Sequence, residues 1–225
     1  MKVGVVIQAR IGSNRLPGKV LLPIAGKVML DHVLGRLSLL KYPVKVVVAT
    51  SDTSADDVIA AHCRLTGIDV FRGNEYNVLD RYYQCALKYS FEHIVRLTAD
   101  NPFTDIEELQ RLIELHLAQC NDYSHSFGIM PQGVGAEIFT YAALERSIQQ
   151  GHAPNHREHV NEYIEENPDL FRIGILDVPA VKRFPSVRLT VDTDEDYHRA
   201  CYVAEHASGS WAETEEAVML CLHSA

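Results

Sequence analysis

Apolar residues recur along this chain in two alternating rhythms, short β-branched runs and stretches with 3.6-residue spacing, and that alternation predicts an α/β layer fold. Val3 to Ile7 is a nearly unbroken β-branched run, as a central strand buried on both faces requires. Residues 12–26 are too broken by glycine and proline to form a regular element. Met29, Val33, Leu37 and Leu40 then set a helical spacing over 28–40, and Val44 to Ala49 predicts a second buried strand ending at Thr50-Ser51-Asp52. Ser54 is placed to cap a helix over 55–66, with Asp56 and Asp57 favouring the dipole of its first turn. A strand at 69–71, a helix at 76–90, a strand at 93–97 and a helix from Asp105 to about Gln119 follow. The pattern weakens into short strands and loops around Pro131-Gln132-Gly133. Beyond it the spacing predicts helices at 140–150 and 155–166, strands at 172–176 and 187–191, and helices at 194–206 and 212–223. With no internal repeat, low-complexity stretch or linker, residues 1–225 read as one domain.

Charge changes this picture more than composition does. The apolar and charged fractions, 47% and 23%, are ordinary, and no apolar run approaches the roughly 20 residues that span a bilayer. The N-terminus reads as a first strand rather than a signal peptide. Five cysteines, none closer than 20 residues to the next, exclude a CxxC motif and predict reduced thiols in a cytoplasm. A net charge of −9 argues against nucleic acid as a partner. Residues 1–36 nevertheless hold six basic residues (Lys2, Arg10, Arg15, Lys19, Lys27, Arg36) against Asp31, a local +5 in a chain whose remainder carries −14. A basic island in an acidic protein suits a compact anion such as a polyphosphate.

That island contains QARIGSNRLPGK, in which Gly12, Ser13, Arg15, Gly18 and Lys19 follow Arg10. Small residues let backbone N–H groups approach an anion, and open α/β sheets bind ligands at the carboxyl ends of their strands. Glycine and arginine content alone fits an ordinary basic surface loop equally well. The Walker loop is excluded, since Gly12 and Gly18 are six apart and Val20 follows Lys19, and GxGxxG is absent.

The string QARIGSNRLPGKVLLPIAGKVMLDHVLGRL resembles the N-terminus of the sugar cytidylyltransferases, the group containing the CMP-deoxyoctulosonate and acylneuraminate synthetases, and looks closest to their spore-coat polysaccharide biosynthesis branch. TSDTSADDVIA, VFRGNEYNVLDRYYQCA, HIVRLTADNPFTD, PQGVGAEIFTYAALER, REHVNEYI and RLTVDTDEDY follow in the order the family has them. The resemblance implies a Rossmann-like three-layer nucleotide-diphospho-sugar transferase fold with a mixed, mainly parallel sheet. It implies CTP and a small sugar as substrates, Mg²⁺ as cofactor and a homodimer. Arg10, Gly12, Ser13, Arg15 and Lys19 would hold the triphosphate; Thr50, Ser51 and Asp52 would face the base; Asp80 and Arg81 would lie in a second nucleotide-contacting segment. Asp100 and Asp192 would bind the metal, and Arg10, Lys19, Asp100 and Asp192 would form the catalytic set. Gly133, Glu137 and Arg157 would belong to the sugar pocket. Asn101 stands where this branch more often has Cys, and Asp194 where Pro usually follows the Thr; neither change removes a candidate ligand.

Chemically, two carboxylates from separate strand ends can position Mg²⁺ against substrate phosphates while a sugar oxygen attacks the α-phosphorus of CTP. Each residue also has a plainer reading. Asp100 could cap the turn before Pro102 and Asp192 the helix at 194–206, Gly133 and Glu137 could form a hairpin turn, and Arg157 could lie on a solvated helix face. His152, His156 and His159 invite a zinc site at helical spacing, and Asp192-Thr193-Asp194 matches the DxD pattern of metal-dependent glycosyltransferases. Another nucleoside triphosphate, or nucleotide binding without catalysis, are the remaining alternatives.

Overall fold

The computed structural model describes residues 2–223. The first strand, β1 (Val3–Gln8), leads through the basic loop and a small hairpin, β2 (Pro23–Ile24) and β3 (Lys27–Val28), into α1 (Met29–Leu37). Then come β4 (Lys45–Ser51), α2 (Asp57–Thr66), β5 (Asp69–Gly73), α3 (Val78–Tyr89), β6 (His93–Thr98) and α4 (Ile106–Ala118). The second half runs β7 (Tyr123–His125), β8 (Glu137–Thr140), α5 (Tyr141–Gln150), α6 (Pro154–Glu158), α7 (Glu162–Glu166), β9 (Ile173–Ile175), α8 (Asp194–His206) and α9 (Thr214–His223).

The main sheet has seven strands in the order β5-β4-β1-β6-β8-β7-β9. β1 pairs in parallel with β4 and β6, and β4 with β5, whereas β8 runs antiparallel to both β6 and β7. The expected mixed, mainly parallel sheet between two helical layers is therefore present. The β-branched run of β1 is explained by its place: Val3, Val5 and Ile7 enter one core with α1, α4, α8 and α9, while Val6 faces α3 and α5 in the other.

Three expectations need correction. Residues 187–191 form no strand; they lie extended against a bend, with Gln132 N–H donating to Val187 O (2.9 Å) and Gln132 O accepting from Leu189 and Thr190. The helix expected at 155–166 is two, because His159 adopts an extended conformation (φ −109°, ψ 108°) after α6. Ser54 makes no capping bond; a short 3₁₀ turn over Ser54–Asp56 precedes α2, and the buried Asp56 accepts instead from the N–H groups of Ile11 (2.8 Å) and Ser51 (3.0 Å). Asp56 thereby ties the basic loop to the end of β4, which is what the site requires.

Candidate active site

The basic loop leaves β1 at Ala9 and folds back on itself. Ile11 O accepts from both Ser13 N–H (2.8 Å) and Gly18 N–H (3.0 Å), and Gly18 takes φ +72°, a conformation open to glycine at no side-chain cost. That reversal drives Lys19 inward. Its ammonium, nearly enclosed, donates to Asp100 Oδ2 (2.7 Å), Asp192 Oδ1 (2.8 Å) and Val191 O (2.7 Å). All three of its donors are thus committed.

Asp100 sits just after β6, and its backbone carbonyl accepts from Val191 N–H (2.9 Å), which brings the two aspartates together from 92 residues apart in sequence. Gly133 makes this approach possible. A Cβ there would meet Thr190 N at 2.5 Å, at a φ of +94°, so the glycine serves the packing of 190–192 rather than an incoming ligand. Neither aspartate is a cap: Thr193 Oγ1 caps α8 by accepting from Asp196 N–H (3.2 Å), and Asp105 caps α4. Asp192 meets three cations, Lys19, Arg15 (3.0 Å) and Arg188. Burial alone would raise its pKa, but the Lys19 hydrogen bond and the charges of Lys19 and Arg15 outweigh that and hold the carboxyl below its ordinary value.

These groups face a cavity of about 330 Å³ at the carboxyl ends of β1 and β6. Arg10, Ser13, Arg15, Lys19, Asp100 and Asp192 line it, so the structure brings together six residues singled out from sequence. Two of the lining residues have a polar atom buried without a partner in the protein, Gln8 Oε1 and Arg96 Nε, and Arg81, outside the lining, has two, Nε and Nη2. Orphans of this kind mark places where a ligand completes the bonding. Arg81 is fully buried, gives Nη1 to Asn74 O (2.7 Å), and has its pKa lowered, by burial first and then by the neighbouring Arg10 charge.

Other candidates lie outside the lining. Gly12 is exposed beside it. Thr50 and Ser51 are buried at the end of β4, Asp52 is exposed beyond them, and Asp80 accepts from Gln84 Nε2 (3.2 Å) in α3. Glu137 is enclosed in β8, bonded to Arg96 and to Tyr123 (2.7 Å), so its oxygens face protein donors rather than sugar hydroxyls. Arg157 is exposed on α6, while the next two residues, Glu158 and His159, reach the cavity. The helix break at His159 accounts for that offset.

The zinc reading finds no support: buried His156 has Nε2 on Glu166 (2.7 Å) and Nδ1 accepting from Ala153 N–H (3.3 Å). Among the described residues, one group of three metal-ligating side chains lies close together, Asp105, Glu107 and Glu108, and Lys182 Nζ already sits among them at 2.7–3.1 Å. Asp194 is exposed beside His198 (3.3 Å) rather than paired with Asp192, so the DxD pattern does not assemble.

Sequence reasoning passed over Arg96 and Arg188. A charged residue inside the strand HIVRLT was the available signal for Arg96; Arg188 gave none, because its contact depends on how 187–191 lies.

The cytidylyltransferase family model matches residues 4–222. The spore coat polysaccharide biosynthesis protein SpsF of Bacillus subtilis is 41% identical over 197 residues, covering 85% of this chain and 82% of that protein. A cytidylyltransferase structure from Leptospira borgpetersenii superposes with a TM-score of 0.92 at 32% identity, over 100% of this chain and 95% of that one. A CMP:2-keto-3-deoxy-manno-octonic acid synthetase complexed with CTP shares the fold with a TM-score of 0.71 at 19% identity, over 91% and 99%. This chain belongs to the cytidylyltransferase family.

Proposed function

We propose that this protein transfers CMP from CTP to a sugar bearing a carboxylate or phosphate, releasing pyrophosphate, in the synthesis of a surface polysaccharide or glycan. The observation that carries the reading is the convergence of Asp100 and Asp192 on one point beneath a loop of fixed cations. Kinship with a spore-coat polysaccharide protein, and with a synthetase solved with CTP, supports both the nucleotide and the destination.

In this reading Arg10, Arg15 and Lys19 bind the triphosphate and offset the charge that develops on departing pyrophosphate. Arg15 is mostly exposed and free to swing onto phosphate. Lys19 must yield one of its three acceptors to do so. Thr50, Ser51, Asp52 and Arg81 form the base side, where the unpaired Nε and Nη2 of Arg81 are donors suited to a polar ring edge.

Asp100 and Asp192 fit a hard divalent ion. Both oxygens touch the same ammonium, so they are no farther apart than the sum of the two contacts, 5.5 Å, and one or two carboxylates plus substrate phosphates is the usual Mg²⁺ set. When bound, Mg²⁺ would supply Lewis-acid stabilisation of the transferring phosphoryl group. The chain's own residues orient the substrates and close the charge balance.

The reading includes a cytoplasmic homodimer. Sedimentation tests the dimer, and the described helices include none long and apolar enough to cross a membrane. The decisive measurement is pyrophosphate release from CTP, against GTP, UTP and ATP, over a panel of sugar acids and sugar phosphates. Release with CTP and one acceptor is expected. CTP binding without release from any acceptor would leave only a nucleotide-binding module, and preference for another nucleotide would reassign the base side.

A further inference from the structure

The floor of the cavity carries a charged pair that cytidylyl transfer, as described, leaves unused. Arg96 lies on β6 four residues before Asp100, and the antiparallel register with β8 sets it opposite Glu137. Its Nη1 donates to Glu137 Oε1, and Tyr123 donates its hydroxyl to Glu137 Oε2 at 2.7 Å. Glu137 is fully enclosed, so both its oxygens are held from inside the protein. Arg96 is different. Its side chain keeps 18% exposure, it lines the cavity with Asp100, Glu158 and His159, and its Nε has no partner in the protein. The guanidinium also lies 5.9 Å from the ring centre of Tyr82, which is fixed by hydrogen bonds to Val6 O and Leu97 O.

A guanidinium offers five donors in a rigid fork that matches a carboxylate or phosphate. One of those donors, Nε, is enclosed without a partner, and the part of the side chain that stays exposed opens on the cavity, where a ligand oxygen can meet the fork. Burial alone would lower the Arg96 pKa, but the Glu137 charge outweighs it and raises it. Position separates this cation from those of the nucleotide. Arg10, Arg15 and Lys19 come from the loop after β1, whereas Arg96 comes from the adjacent strand on the side of β8, beside Glu158 and His159.

We propose that Arg96 is a specificity-determining residue that binds the anionic group of the sugar acceptor, with Glu137 and Tyr123 as positioning residues behind it. The inference rests on the cytidylyl-transfer reading above and adds the acceptor's recognition to it. A plainer role for the pair is to tie β6 to β8, and the test must separate the two. Arg96→Gln alone strands a buried carboxylate and can fail to fold. The double variant Arg96→Gln/Glu137→Gln neutralises both partners, so no buried carboxylate is left without its cation, and keeps the shape of Glu137.

Binding to CTP-loaded protein and pyrophosphate release are measured with three probes: 2-keto-3-deoxy-manno-octonic acid (a carboxylate), glucose 1-phosphate (a phosphate) and glucose (neutral). The double variant is expected to melt within a few degrees of the parent and bind CTP as the parent does. Its KM for the anionic probe the parent accepts should rise at least tenfold, with a smaller change in kcat, and Arg96→Lys should recover part of it. Which anionic probe loses affinity tells carboxylate from phosphate. A double variant that keeps the parent's KM overturns the proposal. A parent that releases pyrophosphate only with neutral glucose overturns it while leaving cytidylyl transfer standing, and a parent that releases none from CTP with any member of the wider panel of sugar acids and sugar phosphates overturns both.

Discussion

Lys19 and Lys182 are both nearly enclosed, and both are clasped by carboxylates, yet their surroundings differ in sign. Lys182 meets Asp105, Glu107 and Glu108, with Arg111 as the second cation on Glu108, so three acids face two cations. Lys19 meets Asp100 and Asp192, and Asp192 also takes Arg15 and Arg188, the last shared with Asp196; along the cavity itself four cations (Arg10, Arg15, Lys19, Arg96) face three acids (Asp100, Asp192, Glu158). The first clasp is complete in itself. Asp105 caps α4 and accepts from Thr214 Oγ1 (2.5 Å), and the carboxylates outweigh burial to raise the Lys182 pKa. The second has a cationic surplus facing a cavity, with Arg10 beside it. Geometry of the clasp alone does not separate the two lysines. Nor does an opening beside it, since the Lys182 clasp lines a cavity of about 500 Å³; the sign of the surplus does, because a surplus of cations suits a polyanion.

The sharpest way to break this comparison is to change one charged member of each clasp. Asp100→Asn should lower pyrophosphate release by on the order of 10³-fold, since ligand-positioned charge stabilisation at phosphoryl transfer contributes several kcal/mol. Its melting temperature should stay close to the parent's. Near-parental turnover would remove Asp100 from the site. Lys182→Met should do the reverse, costing about 3 kcal/mol because two buried carboxylates, Asp105 and Glu108, lose their partner. Turnover below the melting range should be unchanged. Urea denaturation and steady-state kinetics on the same preparations check both halves.

A smaller effect sharpens the contrast through pH. His116, on the helix that carries the Lys182 clasp, is fully buried and hydrogen-bonded to His93 (3.1 Å) and Ser124 (3.0 Å). Burial first, then the His93 charge, pushes its pKa down to about 3. The unfolded chain takes that proton near 6.5, so this group's stabilisation is full above pH 6.5 and is lost progressively as pH falls toward 3. The slope it contributes is at most about 1.4 kcal/mol per pH unit. Asp192, held below its ordinary value, stays ionised over pH 5–7. Acid should therefore weaken the α4 side of the molecule first. Urea midpoints that do not move between pH 7 and pH 5 would remove His116 from this account.

What the chain disclosed in advance follows the range of the interactions involved. The β-branched run of β1, the basic loop and the two aspartates are written in local patterns and ordered motifs, and they assemble as those patterns imply. The acceptor side is not local. Residues 187–191 are extended because Gln132 and Asp100 hold them, Glu137 is enclosed because β8 falls between β6 and β7, and His159 turns into the cavity because α6 stops one residue before it. Gln132, Asp100, β6 and β7 all lie more than a helical turn from the residues they control; only the break at His159 is set by its sequence neighbours.

Ser54 and Thr193 carry that distinction to its smallest measurable scale. Both precede helices with acids in the first turn, and from sequence Ser54 is as good a cap as Thr193. In the structure Thr193 Oγ1 accepts from Asp196 N–H and the Asp196 carboxylate accepts in return from Thr193 N–H (3.0 Å), a reciprocal box in which it also accepts from Asp192 N–H (3.0 Å). Ser54 makes no such bond, because Asp56 turns inward to the loop and to β4. Thr193→Ala should therefore cost about 1 kcal/mol. It should also lower turnover measurably, because the box positions the backbone of Asp192. Ser54→Ala should change stability by no more than about 0.5 kcal/mol, as exposed surface substitutions do. Equal losses from the two variants, by urea denaturation, would mean that the helix end near Ser54 is held by its side chain after all. The comparison would then rest on the clasps alone.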